Sequence, residues 1–261
     1  MADMKNEPRT YVVTGAASGI GAATADLLAA GGDRVIRCDL RDADVNADLG
    51  TREGRDRLAE GVAAASGGTV HGLVAVAGVG DLSPAPVRVN FFGTLATLDA
   101  VRPLLARSDR PRAVVVSSLS AIVAADENLA AACLSLDEEA AAEAAAKVVA
   151  AGYGQTVYPS SKLALNRWLR RAAVGPDWAG AGIPLNAVAP GVVDTATARR
   201  FVLDDPAARE VVAAMMPQPL GFPGPVEAVA SLLAWTVSPG NAFMTGQILY
   251  ADGGAEALLQ P

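Results

Sequence analysis

The stretch Tyr11-Val12-Val13-Thr14, followed at once by Gly15-Ala16-Ala17-Ser18-Gly19-Ile20-Gly21, constrains the chain more than any other. Short runs of β-branched and aromatic residues predict a buried strand. The glycines predict a tight turn, and the alanine-rich segment to about Ala30 predicts a helix. A strand that passes through a tight turn straight into a helix must place sheet and helix in adjacent layers. The pattern then recurs. Strands are predicted at Arg34 to Cys38, Leu73 to Ala77, Ala113 to Val116, Leu185 to Ala189 and Gln247 to Tyr250, with a short one before Asp48. Helices are predicted from Thr51 to Ala65, Val89 to Arg102, Val157 to Ala173 and Val226 to Val237. No linker or internal repeat interrupts the alternation. The expected fold class is α/β, a single doubly wound parallel sheet with helices on both faces, spanning residues 1–261.

Composition excludes several functions. The chain is 51% hydrophobic with 26 glycines, enough to bury a sizeable core. A formal net charge of −7 argues against a nucleic-acid partner, which would require a basic face. No uncharged apolar run is long enough to span a bilayer. The polar lead-in Met1 to Thr10 lacks a signal-peptide core, so a cytoplasmic protein is expected. Cys38 and Cys133 fall in different predicted elements, which makes a disulfide improbable, and with the single His71 they form no metal site. His71 reads as structural.

The candidate site residues fall at strand ends and on one helix. Glycines at the first turn let the backbone approach a pyrophosphate, which the free N–H groups of the following helix can bind. The spacing is G-x-x-x-G-x-G. Asp39 ends the second strand 18 residues beyond Gly21, close to where an acidic residue accepts hydrogen bonds from an adenosine ribose. Its charge would repel a 2′-phosphate, favouring NAD over NADP. Arg37 and Arg41 nearby weaken this modestly, because an arginine could host a phosphate; solvated charges at a strand end is the favoured reading. Asp48-Leu49 could flank the adenine. Asn90, inside an apolar helix, needs partners. It is either a structural clamp or part of a water relay, and both readings stand at this point. Ser118 follows a strand at its carboxyl end, where ligands gather in such sheets.

Tyr158 and Lys162 are four residues apart and share a helix face. With 4 tyrosines, and lysines only at positions 5, 147 and 162, such a pair would arise by chance about 5% of the time. An ammonium within about 4 Å would favour the phenolate by roughly 4 kcal/mol. Against an ordinary phenol pKa near 10 this is about three pH units, enough for acid/base work near neutrality.

Together these residues resemble the short-chain dehydrogenase/reductase family across nearly the whole chain. Thr14 to Gly21 resembles its cofactor turn. Ser118, Tyr158 and Lys162 match its catalytic serine, tyrosine and lysine, and Asn90 its catalytic asparagine. Pro190-Gly191-Val192-Val193-Asp194-Thr195 resembles its Pro-Gly segment, whose threonine holds the nicotinamide carboxamide. Asp252-Gly253-Gly254 resembles its C-terminal signature. Ala75-Val76-Ala77-Gly78 stands where many members carry Asn-Asn-Ala-Gly, so a side-chain brace of the sheet is lost there. The resemblance implies a Rossmann-type fold and an NAD site. That site would be built from Gly15, Ser18, Gly19, Ile20, Gly21, Asp39, Leu40, Asp48, Leu49, Ala77, Gly78, Tyr158, Lys162, Pro190, Gly191, Val193 and Thr195. It also implies an assembly, expected to be a homodimer or homotetramer with contacts through the C-terminal region.

Ser118 and Tyr158 lie 40 positions apart, more than in simple members of the family. A helical insertion is expected over about 124–153, with a short helix near Asn128 to Leu134 and a longer one from Leu136 to Val149. Ser135 with Glu138 forms a capping-box pattern, Glu143 and Lys147 an i,i+4 pair, and Gly152 a stop. With the sequence around Cys38 to Asp44, this resembles the bacterial 3α-hydroxysteroid dehydrogenase/carbonyl reductase branch. The insertion could touch substrate or only pack. A segment of about 195–225, carrying Phe201, Val202, Leu203, Met215, Met216, Pro217, Leu220 and Phe222, is expected to act as a lid. The implied activity is NAD-dependent hydride transfer between a hydrophobic cyclic secondary alcohol, of steroid or terpenoid type, and its ketone. An NAD-using epimerase or dehydratase, or a non-catalytic dinucleotide-binding sensor, is the alternative.

Overall fold

The computed structural model describes residues 8–260; most of the N-terminal lead-in expected from Met1 to Thr10 lies outside them. Seven parallel strands form one sheet in the order β3-β2-β1-β4-β5-β6-β7. They are β1 (Thr10–Thr14), β2 (Arg34–Asp39), β3 (Val45–Asn46), β4 (Gly72–Ala75), β5 (Arg112–Val116), β6 (Leu185–Pro190) and β7 (Ile248–Ala251). Between them run α1 (Gly19–Ala30), α2 (Arg52–Ser66), α3 (Thr94–Leu105), α4 (Glu127–Leu134), α5 (Glu138–Ala150), α6 (Val157–Ala172), the single turn α7 (Ala196–Ala198), α8 (Pro206–Met215) and α9 (Val226–Val237), with α10 (Ala255–Leu259) after β7.

Strand alternation sorts the core into two layers. Val12, Leu73 and Val115 pack with Leu58, Leu98 and Leu165 of α2, α3 and α6. Val13, Val74 and Val114 point to the other face, against Leu28 of α1 and Val229 and Leu233 of α9. The chain steps outward from β1 to β3 and then returns across β1 to form β4. This reversal opens a crevice at the carboxyl ends of β1 and β4, where doubly wound sheets bind ligands.

The sequence places most helices within a residue or two, and α9 has the predicted bounds. Thr51 caps α2 by accepting from Gly54 N at 3.1 Å. Glu143 and Lys147 pair at 2.9 Å, and Gly152, with φ +87°, follows α5. Two expectations need correction. The helix expected from Val89 is a π-helix over Val87–Gly93 that runs on into α3. The expected capping box does not form. Ser135 Oγ donates to Ala132 O at 2.7 Å, and Asp137 caps α5 by accepting from Ala140 N at 3.0 Å. Leu136 adopts φ +63°, so the chain turns sharply between α4 and α5 and the α5 start moves on to Glu138.

The insertion is welded to the domain. Leu129, Ala130 and Cys133 of α4 and Ala141 and Ala145 of α5 are buried in the larger core layer. Arg55 forks onto Glu138 at 2.6 and 2.7 Å, and Arg88 onto Glu139 at 2.9 and 2.8 Å. His71 is structural, accepting from Thr10 N at 2.9 Å. Both cysteines are free and buried. No helix of the described residues is long and apolar enough to cross a membrane.

Candidate active site

A cavity of about 560 Å³ lies along the carboxyl ends of the strands, within the usual size range for ligand sites. Every residue expected to hold the cofactor lines it, as do Ser118, Tyr158 and Lys162. At one end lies Asp39, finishing β2. Its Oδ2 accepts from Ala17 N at 2.9 Å and its Oδ1 from Leu40 N at 2.7 Å. Each carboxylate oxygen keeps acceptor capacity for a further donor. Arg37 turns away to pair with Asp26 at 2.6 Å. Neither it nor Arg41 lines the cavity.

The middle of the cavity is a glycine-rich cradle. Ser18 makes no side-chain capping bond to α1, so the first N–H groups of the helix keep their donor capacity. Gly15 has φ +66°, and a Cβ there would lie 2.9 Å from Ala77 N. A Cβ on Gly21 would overlap the Gly15 carbonyl. Gly19 has φ +54° and faces Thr195, whose Cγ2 would be 3.3 Å from a Cβ. Thr195 itself caps α7, accepting from Ala198 N at 3.1 Å. Ser117 Oγ in the cavity wall is buried and has no hydrogen-bond partner among the described residues. A glycine-rich wall, open helix N–H groups, an unpaired hydroxyl and a carboxylate at one end fit a dinucleotide.

The missing asparagine brace has a replacement. Thr14 Oγ1 accepts from Val76 N at 3.1 Å and from Ala77 N at 3.2 Å. One hydroxyl thus ties the end of β1 to the loop after β4 and sets the Ala77-Gly78 backbone against the cavity.

At the other end are Ser118, Tyr158 and Lys162. Val157–Ala172 begins just before Tyr158 and places Pro159 in its first turn, where the missing N–H costs little. Lys162 is 3% exposed, and its ammonium donates to Val116 O at 2.7 Å. Burial pushes its pKa down to about 8. The ammonium stands 5.8 Å from the centre of the Tyr158 ring. The expected lowering of the Tyr158 pKa by Lys162 is not what the structure gives. Burial pushes the phenol pKa up, and the Ser118 side chain draws it down. Burial penalises a charge on either side chain, which sequence spacing alone does not reveal.

Asn90 does not line the cavity. Its Nδ2 donates to Val79 O at 2.9 Å and to Ser161 Oγ at 3.2 Å, and its Oδ1 accepts from Val79 N at 2.8 Å. This is the clamp reading: Asn90 fastens the loop after β4 to α6. One lone pair of Oδ1 remains for a water. Asn90 lies within the π-helix, and such bulges often mark functional sites.

The sequence matches the short chain dehydrogenase family over residues 9–133 and a family described as enoyl-(acyl carrier protein) reductase over residues 140–256. The 3-alpha-hydroxysteroid dehydrogenase/carbonyl reductase of Comamonas testosteroni is 37% identical over 254 residues, covering 96% of this chain and 97% of that protein. The chain belongs to the short-chain dehydrogenase/reductase family. A tropinone reductase homologue of Arabidopsis thaliana is 32% identical, covering 94% of this chain and 92% of that protein. The crystal structure of the 3-alpha-hydroxysteroid dehydrogenase from Pseudomonas sp. B-0831 complexed with NADH superposes with a TM-score of 0.88 at 38% identity, covering 96% of this chain and 98% of that one. Within the short-chain dehydrogenase/reductases, then, the chain resembles the bacterial hydroxysteroid dehydrogenase branch. Its enzyme class is oxidoreductase.

Several lining residues of this short-chain dehydrogenase/reductase were not singled out in the sequence. Val79, Gly80, Ser120 and Val212 of α8 all line the cavity; Gly80 lies near the Tyr158 ring, and Ser120 stands beside Ser118. Of the expected lid side chains, Phe201, Val202 and Met216 line the cavity; Leu203 is buried, and Leu220 is 90% exposed. No residue of 124–153 lines it. The insertion packs on α2, α6 and the π-helix, not on the cavity.

Proposed function

We propose that this protein interconverts a hydrophobic cyclic secondary alcohol, of steroid or terpenoid type, and its ketone, using NAD. One observation carries the reading: a single continuous cavity has Asp39 at one end and Ser118, Tyr158 and Lys162 at the other. When bound, NAD accepts hydride during oxidation and supplies it, as NADH, during reduction. Asp39 would accept from the adenosine ribose and repel a 2′-phosphate. Leu40, Asp48 and Leu49 would flank the adenine. The α1 N–H groups and the Gly15–Gly21 turn would hold the pyrophosphate, and Ala77, Gly78, Pro190, Gly191, Val193 and Thr195 the nicotinamide side.

Tyr158 exchanges the proton with the substrate oxygen. A phenol whose pKa burial raises is held as the acid form near neutrality, ready to protonate a ketone during reduction. Alcohol oxidation needs the phenolate and so gains with rising pH. Ser118 donates to the substrate oxygen, where negative charge develops. Lys162 binds the nicotinamide ribose, and Asn90 holds the water beside it.

Apolar side chains support an apolar substrate. Phe201, Val202, Val212 and Met216 line the same cavity, and methionine gives an adaptable surface. No residue of α8 is buried, as suits an element that opens and closes over a cavity. The Comamonas and Pseudomonas relatives, both hydroxysteroid dehydrogenases, point to the same substrate class. Two free buried cysteines suit the cytoplasm. Homodimer or homotetramer formation through the C-terminal region, away from the insertion, completes the reading.

The test is NADH formation across a panel of 3-hydroxysteroids and cyclic terpenoid alcohols, repeated with NADP. Turnover of at least one, with NAD preferred, is expected. Binding of NADH without turnover of any panel member would contradict it.

A further inference from the structure

We infer that Ser120 is a positioning residue that holds Ser118 as a hydrogen-bond donor toward the cavity. Ser118 lies two residues beyond β5 and caps a single 3₁₀ turn, Leu119–Ile122. That turn folds residue 120 back over residue 118. Ser120 N donates to Ser118 Oγ at 3.1 Å, and Ser120 Oγ lies 2.9 Å from the same atom. A serine hydroxyl has two acceptor lone pairs and one hydrogen. The Ser120 N–H and O–H occupy both lone pairs. The valence left on Ser118 is its own O–H, at the end of the cavity that holds Tyr158.

This arrangement has a chemical consequence. Donors into an oxygen polarise its O–H and strengthen the bond that it donates. A Ser118 held as donor stabilises negative charge on an oxygen in front of it, whether on a substrate or on the Tyr158 phenol. Among the described residues, Ser120 Oγ makes no other hydrogen bond, so its donor capacity is not drawn elsewhere. Lys162 of α6 is the ionised residue at this end of the cavity; the others that line it, Asp39 and Asp48, belong to the opposite end. The lining residues of the loop Gly78–Gly80, of the end of β5 and of α8 (Val212) are uncharged. A change at Ser120 therefore reaches Tyr158 through Ser118.

The role of Ser118 in the reaction is taken from the proposed function, so one readout must need no turnover. Ser120→Ala removes the side-chain donor and keeps the backbone N–H; Ser120→Thr keeps both. The Tyr158 phenolate is followed by ultraviolet titration, with Tyr158→Phe subtracted to isolate its signal. In Ser120→Ala the midpoint is expected to rise by about one pH unit, and in Ser120→Thr to stay with the parent. With the best alcohol of the panel, Ser120→Ala should lower kcat about ten-fold and move the rise of the oxidation profile to higher pH, leaving KM and NADH binding unchanged. A parent-like midpoint and profile in Ser120→Ala, or an equal loss in Ser120→Thr, would overturn the assignment. If the parent turns over no alcohol, the proposed reaction fails, while the titration still decides the part played by Ser120.

Discussion

Asp39 Oδ2 accepts a hydrogen bond from the backbone N–H of Ala17 at 2.9 Å. The end of β2 is thereby tied to the glycine turn after β1, and in the proposed function the same carboxylate would also accept from the cofactor ribose. Asp39→Ala should remove the ribose contact and the repulsion of a 2′-phosphate together. The expected result is a roughly 10- to 100-fold loss in kcat/KM for NAD, from about 1.5–3 kcal/mol for a hydrogen bond to a charged group, with NADP use gained. Steady-state kinetics with both cofactors check this. Unchanged preference in Asp39→Ala would place the selectivity elsewhere.

Lys162 carries a pH dependence of stability. Its folded pKa is about 8, below the ordinary lysine value near 10.4. Between these limits the unfolded chain binds more protons than the folded one, so the contribution of Lys162 to stability rises with pH. Below about pH 8 the buried ammonium imposes its full cost; that cost is relieved as pH climbs toward the unfolded value. Urea unfolding of the parent and Lys162→Met should therefore show a difference that moves in favour of the parent between roughly pH 8 and pH 10.5, by on the order of 3 kcal/mol. A difference independent of pH would mean that burial does not perturb this lysine.

The insertion is held by the Arg55–Glu138 fork, whose side chains are 14% and 25% exposed. Glu138→Gln keeps the shape and removes the charge. We expect a loss of about 1–3 kcal/mol, a fall of several degrees in Tm, and faster amide exchange in α5. KM for the alcohol should hold, because no residue of 124–153 lines the cavity. A ten-fold change in alcohol KM at unchanged stability would show that the insertion does reach the substrate.

What the sequence made legible was set by local pattern. Val226–Val237 and Thr51 with its helix follow from periodicity and capping chemistry, and the glycine turn that lines the cavity from the strand–glycine–helix order. The parts that were not legible depend on distant partners. Asn90 could not be told apart as clamp or relay until Val79 and Ser161 were brought to it from other segments. The π-helix that carries it leaves no periodic signature. Ser135 and Glu138 match a capping box, but Asp137 captures the helix start because Leu136 turns the chain first. Tyr158 and Lys162 were visible as a pair by spacing. Spacing carries no burial, and burial sets the direction of both pKa values.

The central claim is that Tyr158 moves the proton at the cavity end opposite Asp39. Single-turnover oxidation of the best panel alcohol by Tyr158→Phe, with NADH binding measured on the same sample by fluorescence, tests it most directly. The account predicts parent-like NADH affinity and a loss of turnover of at least a hundred-fold, in keeping with removal of a general acid–base group. Tyr158→Phe turning over at the parent rate with cofactor bound would contradict it.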